Sequence, residues 1–235
     1  MNFKGKKVFI TGVTRGIGRE ISKKFYEHGA QVYGTGTVIA RFDEGELFQA
    51  DFSKIDQIKL CAKYVENLAP DIVINNAGIN KNESFVNINP EIFLEIQQIN
   101  VFAPLLIMQA SLPGMLCAGW GRIVNISSIW GKISMEGRAA YSASKFALDG
   151  LTLALAAEYA SSGVLANCVA PGFTDTELTQ KMLGPIGIQK ILEKVPMKRM
   201  ATVSEIAELV LWLSSEKNTY ITGQNIAIDG GFYRA

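Results

Sequence analysis

Short β-branched runs alternate with longer amphipathic segments along the chain. The runs are KVFITG (7–12), AQVYGTG (30–36), a weaker ELFQAD (46–51), DIVINNAG (71–78), GRIVNISS (121–128), GVLANCVAPG (163–172) and NIAIDGG (225–231). Most are apolar throughout, as strands covered on both faces are. Between them the pattern predicts helices over 16–28, 54–68, 90–117, 139–161 and 203–215. Strands alternating with helices predict an α/β fold, a doubly wound parallel sheet of about seven strands with helices on both faces. One connection breaks the rhythm. TVIARFDEG, after the second strand, is too short for a crossover helix, which with its loops needs at least about 10 residues. A loop or a single turn is expected there.

Composition narrows the class. With 235 residues, one domain spanning 1–235 is expected, with 173–200 as a lid hinged by glycine and proline. Lys plus Arg total 23 and Asp plus Glu 22, so no net charge points to nucleic acid or an anionic membrane. The most apolar stretch, VFAPLLIMQASLPGML, is interrupted by Pro104, Gln109 and Pro113 and suits a buried helix better than a membrane span. Cys61, Cys117 and Cys168 lack metal or disulfide spacing and read as small buried residues in a reducing, cytoplasmic setting. The sole histidine, His28, ends the first helix; it is expected to be solvated, and no histidine catalysis follows.

Candidate chemistry gathers where strands end. In open parallel sheets ligands sit beyond the carboxyl ends of the strands. TGVTRGIG (11–18) follows the first strand and opens the first helix. Its Gly12, Gly16 and Gly18 allow a tight turn and close backbone approach, and the helix amino-terminus offers N–H groups to a pyrophosphate. In YSASK (141–145), Tyr141 and Lys145 are four apart and share one helical face. A phenol has an unperturbed pKa of about 10, and a nearby ammonium favours its ionised form. Taken alone the pair reads more readily as a buried tyrosine beside a lysine whose head reaches solvent.

The spacing T-G-x-x-x-G-x-G resembles that of the short-chain dehydrogenase/reductase family. NNAG (75–78), Asn100, SS (127–128), YSASK, PG (171–172) and IDGG (228–231) match further family motifs in order, over essentially the whole chain. The resemblance implies a Rossmann-type fold and hydride transfer between a nicotinamide cofactor and a carbonyl or secondary alcohol. It implies Tyr141 as general acid in reduction and general base in oxidation. Lys145 would hold the nicotinamide ribose, Ser128 the substrate oxygen and Asn100 a relay water. Ser127 competes for the hydroxyl role, but the thirteen-residue spacing to Tyr141 selects Ser128. Thr14, Arg15 and Ile17 join the three glycines in the cofactor loop. Asp51 and Phe52 match the adenine-contacting pair, Asn76, Ala77 and Gly78 the adenine-ribose segment, and Pro171, Gly172, Thr174 and Thr176 the nicotinamide carboxamide site.

Thr35, Gly36 and Thr37 stand where NAD-binding relatives place an acid for the ribose 2′-hydroxyl. A carboxylate there would repel a 2′-phosphate. Arg15 could pair with that phosphate, with Arg41 as a second partner. NADP(H) is therefore expected as the preferred cofactor, NAD(H) remaining possible, and no metal. Trp130, Met135, Glu136 and Phe173, with Ser128, are candidate substrate contacts. In its motifs the chain resembles 3-oxoacyl-carrier-protein reductases. Those carry basic residues just before the fifth and sixth strands. Here LCAGWG (116–121) and YASSGV (159–164) hold none, which favours a free small carbonyl or alcohol. A sugar or nucleotide-sugar oxidoreductase of glycan biosynthesis is one form of that reading, and a non-catalytic nucleotide sensor is a further alternative. Helices 90–117 and 139–161 carry more apolar surface than a sheet face needs. In similar proteins they pair across a two-fold axis, so a homodimer or homotetramer is expected.

Overall fold

The computed structural model describes residues 1–38 and 41–234. Seven strands form one parallel sheet: β1 (Lys7–Ile10), β2 (Gln31–Gly36), β3 (Gly45–Gln49), β4 (Ile72–Asn75), β5 (Gly121–Ile126), β6 (Val164–Pro171) and β7 (Asn225–Ile228). Their order is β3-β2-β1-β4-β5-β6-β7, so the winding reverses between β1 and β4. That reversal opens the crevice in which such sheets bind ligands. Among the described residues between β2 and β3 there is no helix, as the short connection requires. Ile39 and Ala40 lie outside the described residues.

Although the strands are apolar throughout, alternate residues serve two different cores, because successive side chains point to opposite faces. Val8, Ile10, Ile72, Ile74 and Val124 pack with Ile21 and Phe25 of α1 (Gly16–Glu27) and Ile206 and Val210 of α7 (Val203–Ser214). Phe9, Val73 and Ile123 pack with Ile58 and Val65 of α2 (Ile55–Leu68), Ile107 and Met108 of α4 (Ala103–Ala118) and Leu155 of α5 (Ala139–Tyr159). Fully burying one such side chain contributes about 2–3 kcal/mol. Local signals end the helices where expected. Thr202 and Glu205 form a capping box that starts α7, and Ala69 takes the left-handed conformation just before Pro70 to end α2.

Several expectations are corrected. The helix expected at 90–117 is α3 (Pro90–Gln97), a π-helical turn (Gln98–Phe102) and α4, a continuous 29-residue rod to Ala118 that runs through Pro104 and Pro113. By length and composition alone, with a mean hydropathy of 1.7 over its most apolar 18 residues, it could cross a membrane. In this fold its Ile107, Met108 and Met115 cover the sheet beside α2. The segment 173–200 holds a further helix, α6 (Glu177–Lys194), broken at Gly184, whose φ of 60° and ψ of 174° are non-helical. The absence of buried residues from α6 is why its apolar periodicity was faint. Cys61 and Cys168 are buried thiols, but Cys117, near the end of α4, is exposed. His28 is half-buried rather than solvated, its Nδ1 lying 2.8 Å from the Lys24 carbonyl.

Candidate active site

Register brings the nucleotide loop and the end of β4 together. Ile10 pairs with Ile74, so the residues just beyond them meet. Asn76 Nδ2 donates to the carbonyls of Thr11 (2.9 Å) and Gly12 (3.0 Å), and the backbone N–H groups of Asn76 and Ala77 donate to Thr11 Oγ1. Gly12 has a φ of 73°, in the region that favours glycine. A Cβ on Gly18 would lie 2.1 Å from the Gly12 carbonyl oxygen, so only glycine lets α1 begin this close to the strand. The first N–H groups of α1 have no intrahelical acceptors. No side-chain cap takes them up, and the first turn carries no acid. Arg15 stands exposed at the N-cap, and Thr176, the N-cap of α6, lies over Gly16. An open cavity of about 830 Å³ runs beside Thr14, Arg15, Gly16, Arg19 and Thr176. Backbone donors, a helix amino-terminus and free arginines fit a dinucleotide phosphate.

The residues at the end of β2 divide. Thr35 is buried, and its Oγ1 accepts from the Gly12 N–H at 3.1 Å. Its hydroxyl thus braces the loop, because β2 lies beside β1 in a register that brings it to Gly12. Gly36 leaves room for Thr14, whose Cγ2 would lie 2.6 Å from an added Cβ, and Thr37 is exposed. Arg41 is engaged by Asp43 at 2.6 Å. Asp51 accepts from the backbone N–H (3.0 Å) and hydroxyl (2.7 Å) of Ser53, which hold its carboxyl below the usual range. The Phe52 ring is committed to the α2–α4 core, so only its backbone and Asp51 remain for an adenine. Thr174 is buried beside Gly172.

The second cluster lies at the ends of β4 and β5. The π-turn turns Asn100 inward, where its Oδ1 accepts from the Ile79 N–H (2.9 Å). Its Nδ2 meets the Ile79 carbonyl (2.9 Å) and Ser144 Oγ (3.0 Å). Such π-turns recur at functional sites because they rotate one side chain off the regular helical face. Lys145 is buried and donates to the Ile126 carbonyl at 2.7 Å. A Cβ on Gly78 would lie 3.2 Å from Asn100 Oδ1 and 3.6 Å from Lys145 Nζ, so NNAG, Asn100 and Lys145 share one small space. Ser128 caps the turn Ile129–Gly131 and lies near the Tyr141 phenol, whereas the Ser127 hydroxyl is sealed without a partner and sits 2.7 Å from where a Gly131 Cβ would be.

The electrostatics differ from the simple tyrosine–lysine pair. Burial pushes the Tyr141 phenol up, while hydrogen bonding by Ser128 and the positive charge of Arg138 pull it down. Lys145 Nζ is 5.6 Å from the Tyr141 ring centre, and burial pushes its own pKa down to about 8. Arg138, which the sequence pattern did not single out, adds a second positive charge near the phenol. Its signal was a lone positive charge three residues before Tyr141.

One wall beside Ser128 is aromatic. Trp130, Phe173 and Phe232 form a mutually edge-on triad with centroid distances of 6.3, 6.2 and 5.2 Å. Trp130 and Phe173 were expected here. Phe232 was missed, since nothing local marks a chain terminus as returning to the sheet mouth. Met135, 53% exposed, and Glu136 stand out on the loop surface and do not join this wall.

Comparison with known proteins gives consistent findings. The family profile described as enoyl-(acyl carrier protein) reductase matches residues 12–233. The chain is 37% identical over 246 residues to a 3-oxoacyl-[acyl-carrier-protein] reductase of Buchnera aphidicola subsp. Schizaphis graminum, covering 99% of each. A solved short chain dehydrogenase/reductase family protein matches with a TM-score of 0.93 and 32% identity over 100% of both chains. A gluconate 5-dehydrogenase from Burkholderia cenocepacia, in complex with NADP and tartrate, matches with a TM-score of 0.89 and 26% identity, covering 100% of this chain and 97% of its own.

Proposed function

Because this chain belongs to the short-chain dehydrogenase/reductase family and is thereby an oxidoreductase, we propose that it transfers hydride between NADP(H) and a small carbonyl or secondary alcohol, with Tyr141 as the proton-transferring group. The observation that carries this reading is the meeting of Asn76, Gly78, Asn100 and Lys145 in one space between the glycine loop and the Tyr141 helix. The bound cofactor supplies or accepts the hydride. Tyr141 gives its proton to the carbonyl oxygen in reduction and takes it back in oxidation. A phenol pushed up by burial stays protonated at neutral pH, the form that reduction needs. Ser128 orients the substrate oxygen. Lys145 and Asn100 sit where a proton could be passed on through the Ile79 and Ser144 side of the pocket.

Preference for NADP(H) is supported by exposed Arg15, by the absence of an acid at the end of β2 and by the NADP held in the Burkholderia relative. For the substrate, the names of the curated relatives favour a 3-oxoacyl group on a carrier protein. Against that stands the chain's own surface. Arg122, at the start of β5, is buried and spent on the carbonyls of Gly121, Gly163 and Asn218, and Lys6, over the Trp120 ring, lies within 4.0 Å of Asp71 and Glu216. We therefore favour a free small carbonyl. We also read 173–200 as the lid, the cytoplasm as the setting, and pairing of the helices 90–117 and 139–161 as the basis of assembly.

Fluorescence titration with NADPH and NADH tests the cofactor, and a carbonyl screen with NADPH tests the reaction. Tighter NADPH binding is expected, with Arg15→Ser losing affinity for NADPH more than for NADH. Tyr141→Phe should lower turnover at least about a thousandfold, within the range general acid–base catalysis contributes, while cofactor affinity falls far less. Absence of binding to either nucleotide would remove the reading.

A further inference from the structure

Arg138 sits in an unusual place for a cation. It is the N-cap of α5, at the positive end of a 21-residue helix whose first turn carries no acid. It is half-buried, its guanidinium 5.4 Å from the centre of the Trp130 ring, and its charge reaches the Tyr141 phenol. Among the described residues no carboxylate forms an ion pair with it. Glu136, two residues away, is exposed and forms no ion pair with it, and Glu83 on the adjoining loop pairs with Lys81 at 3.0 Å. A partly desolvated arginine is costly to keep without an anion, and the described residues supply none in an ion pair with it. Its planar fork, beside the Trp130 ring, can donate two parallel hydrogen bonds to a carboxylate.

We propose that Arg138 is the specificity-determining cation of this site, binding a carboxylate carried by the same small molecule as the reacting carbonyl. The inference rests on the reductase reading above and deepens it from a small carbonyl to an oxo acid, with a hydroxy acid as the reduced partner. Position sets the geometry. The carbonyl oxygen belongs between Ser128 and Tyr141, Arg138 stands one helical turn before Tyr141, and Trp130 stands two residues after Ser128. One short molecule can therefore span the proton donor and the guanidinium, with Trp130, Phe173 and Phe232 closing over its carbon chain. A carrier-bound thioester has no free carboxylate at that end and would leave the guanidinium unpaired.

The test uses the full chain saturated with NADP⁺, which cannot reduce a ketone, so binding is read without turnover. Acetoacetate and its methyl ester are titrated by calorimetry into this complex. The acid is expected to bind about ten- to a hundredfold more tightly, the range of a charge-assisted hydrogen-bonded pair. Arg138→Met should abolish that preference, and Arg138→Lys should restore part of it. Loss of field on the phenol alone would shift the pH dependence of turnover equally for acid and ester, so the ratio between the two reports recognition. Equal binding of acid and ester by the parent protein, or a preference that survives in Arg138→Met, overturns the inference. The NADPH titration of each variant shows that it is folded. If the parent protein binds no nucleotide, the reductase reading fails; if nucleotide binds and acid is not preferred, only the carboxylate assignment fails.

Discussion

Lys145 shows how a residue's burial and its chemistry oppose each other. Its ammonium is enclosed with no carboxylate partner, and burial pushes its pKa from the usual 10.5 to about 8. The folded chain thus holds this proton less firmly than the unfolded chain does. Between roughly pH 8 and pH 10.5 the unfolded state binds the extra proton, and stability rises with pH across that window. Below it the penalty is fully present. Lys145→Met is therefore expected to melt higher than the parent protein at pH 7, the difference shrinking as pH approaches 10.5, although the variant loses activity. Thermal melts of both proteins from pH 7 to 10.5 check this. A variant that melts lower at pH 7 would mean that the bond to the Ile126 carbonyl outweighs desolvation. Thr35 teaches a related lesson at the end of β2. Standing where an acid would bind a ribose, its hydroxyl holds Gly12 in place.

At the scale of elements, the strand β1, the glycine loop and α1 form one unit, and the backbone spacing inside it decides the binding surface. Gly18 lies on the first turn of α1 against the Gly12 carbonyl, close to Asn76 Nδ2. An alanine there cannot be relieved by moving Asn76 alone, because the nearest atom, the Gly12 carbonyl oxygen, is backbone. Gly18→Ala is expected to cost at least about 2 kcal/mol by overpacking and to lose NADPH affinity at the same time. Melting temperature and NADPH titration measure the two effects. A stable variant with unchanged affinity would contradict the close approach of loop and strand. The π-turn before α4 is the second such unit. A regular helix through 90–118 would carry Asn100 to another face, away from Ile79 and Ser144.

For the whole molecule, the sheet is covered on both faces, yet α4 and α5 keep large apolar groups outside. Phe146 (46% exposed) and Leu153 (51%) stand on α5, and Leu116 (36%) on α4. Such side chains on the two helices expected to pair suit a self-complementary two-fold interface. Sedimentation should find a dimer or tetramer, and Leu153→Glu should shift it toward smaller species. A parent protein that sediments as a monomer would end this reading.

Alternation of strand and helix, the glycine loop, NNAG, Asn100, Ser128 and the YSASK pair were legible in the amino-acid order. The elements, the glycine loop and the Tyr141–Lys145 spacing are written in local chemistry: period-two and period-3.6 patterning, glycines at the turn, and a four-residue step along one helix face; NNAG, Asn100 and Ser128 were expected only from the resemblance to the family. The side of the sheet to which each apolar residue went followed from the same alternation. Contacts between segments distant along the chain were not legible. Phe232 meets Trp130 only because β7 pairs with β6 and returns the terminus to the sheet mouth. Thr35 faces inward only because β2 lies beside β1 in one register, and Phe52 was claimed by the core. The helix α6 escaped because no face of it is buried, which leaves no apolar period to read. Arg138 was visible as a charge, but its lack of an anion and its position on Trp130 belong to tertiary structure. Local sequence determined the elements and the reactive groups; packing decided which of those groups remain free to meet a substrate, because burial and pairing are properties of neighbours that the chain order does not record.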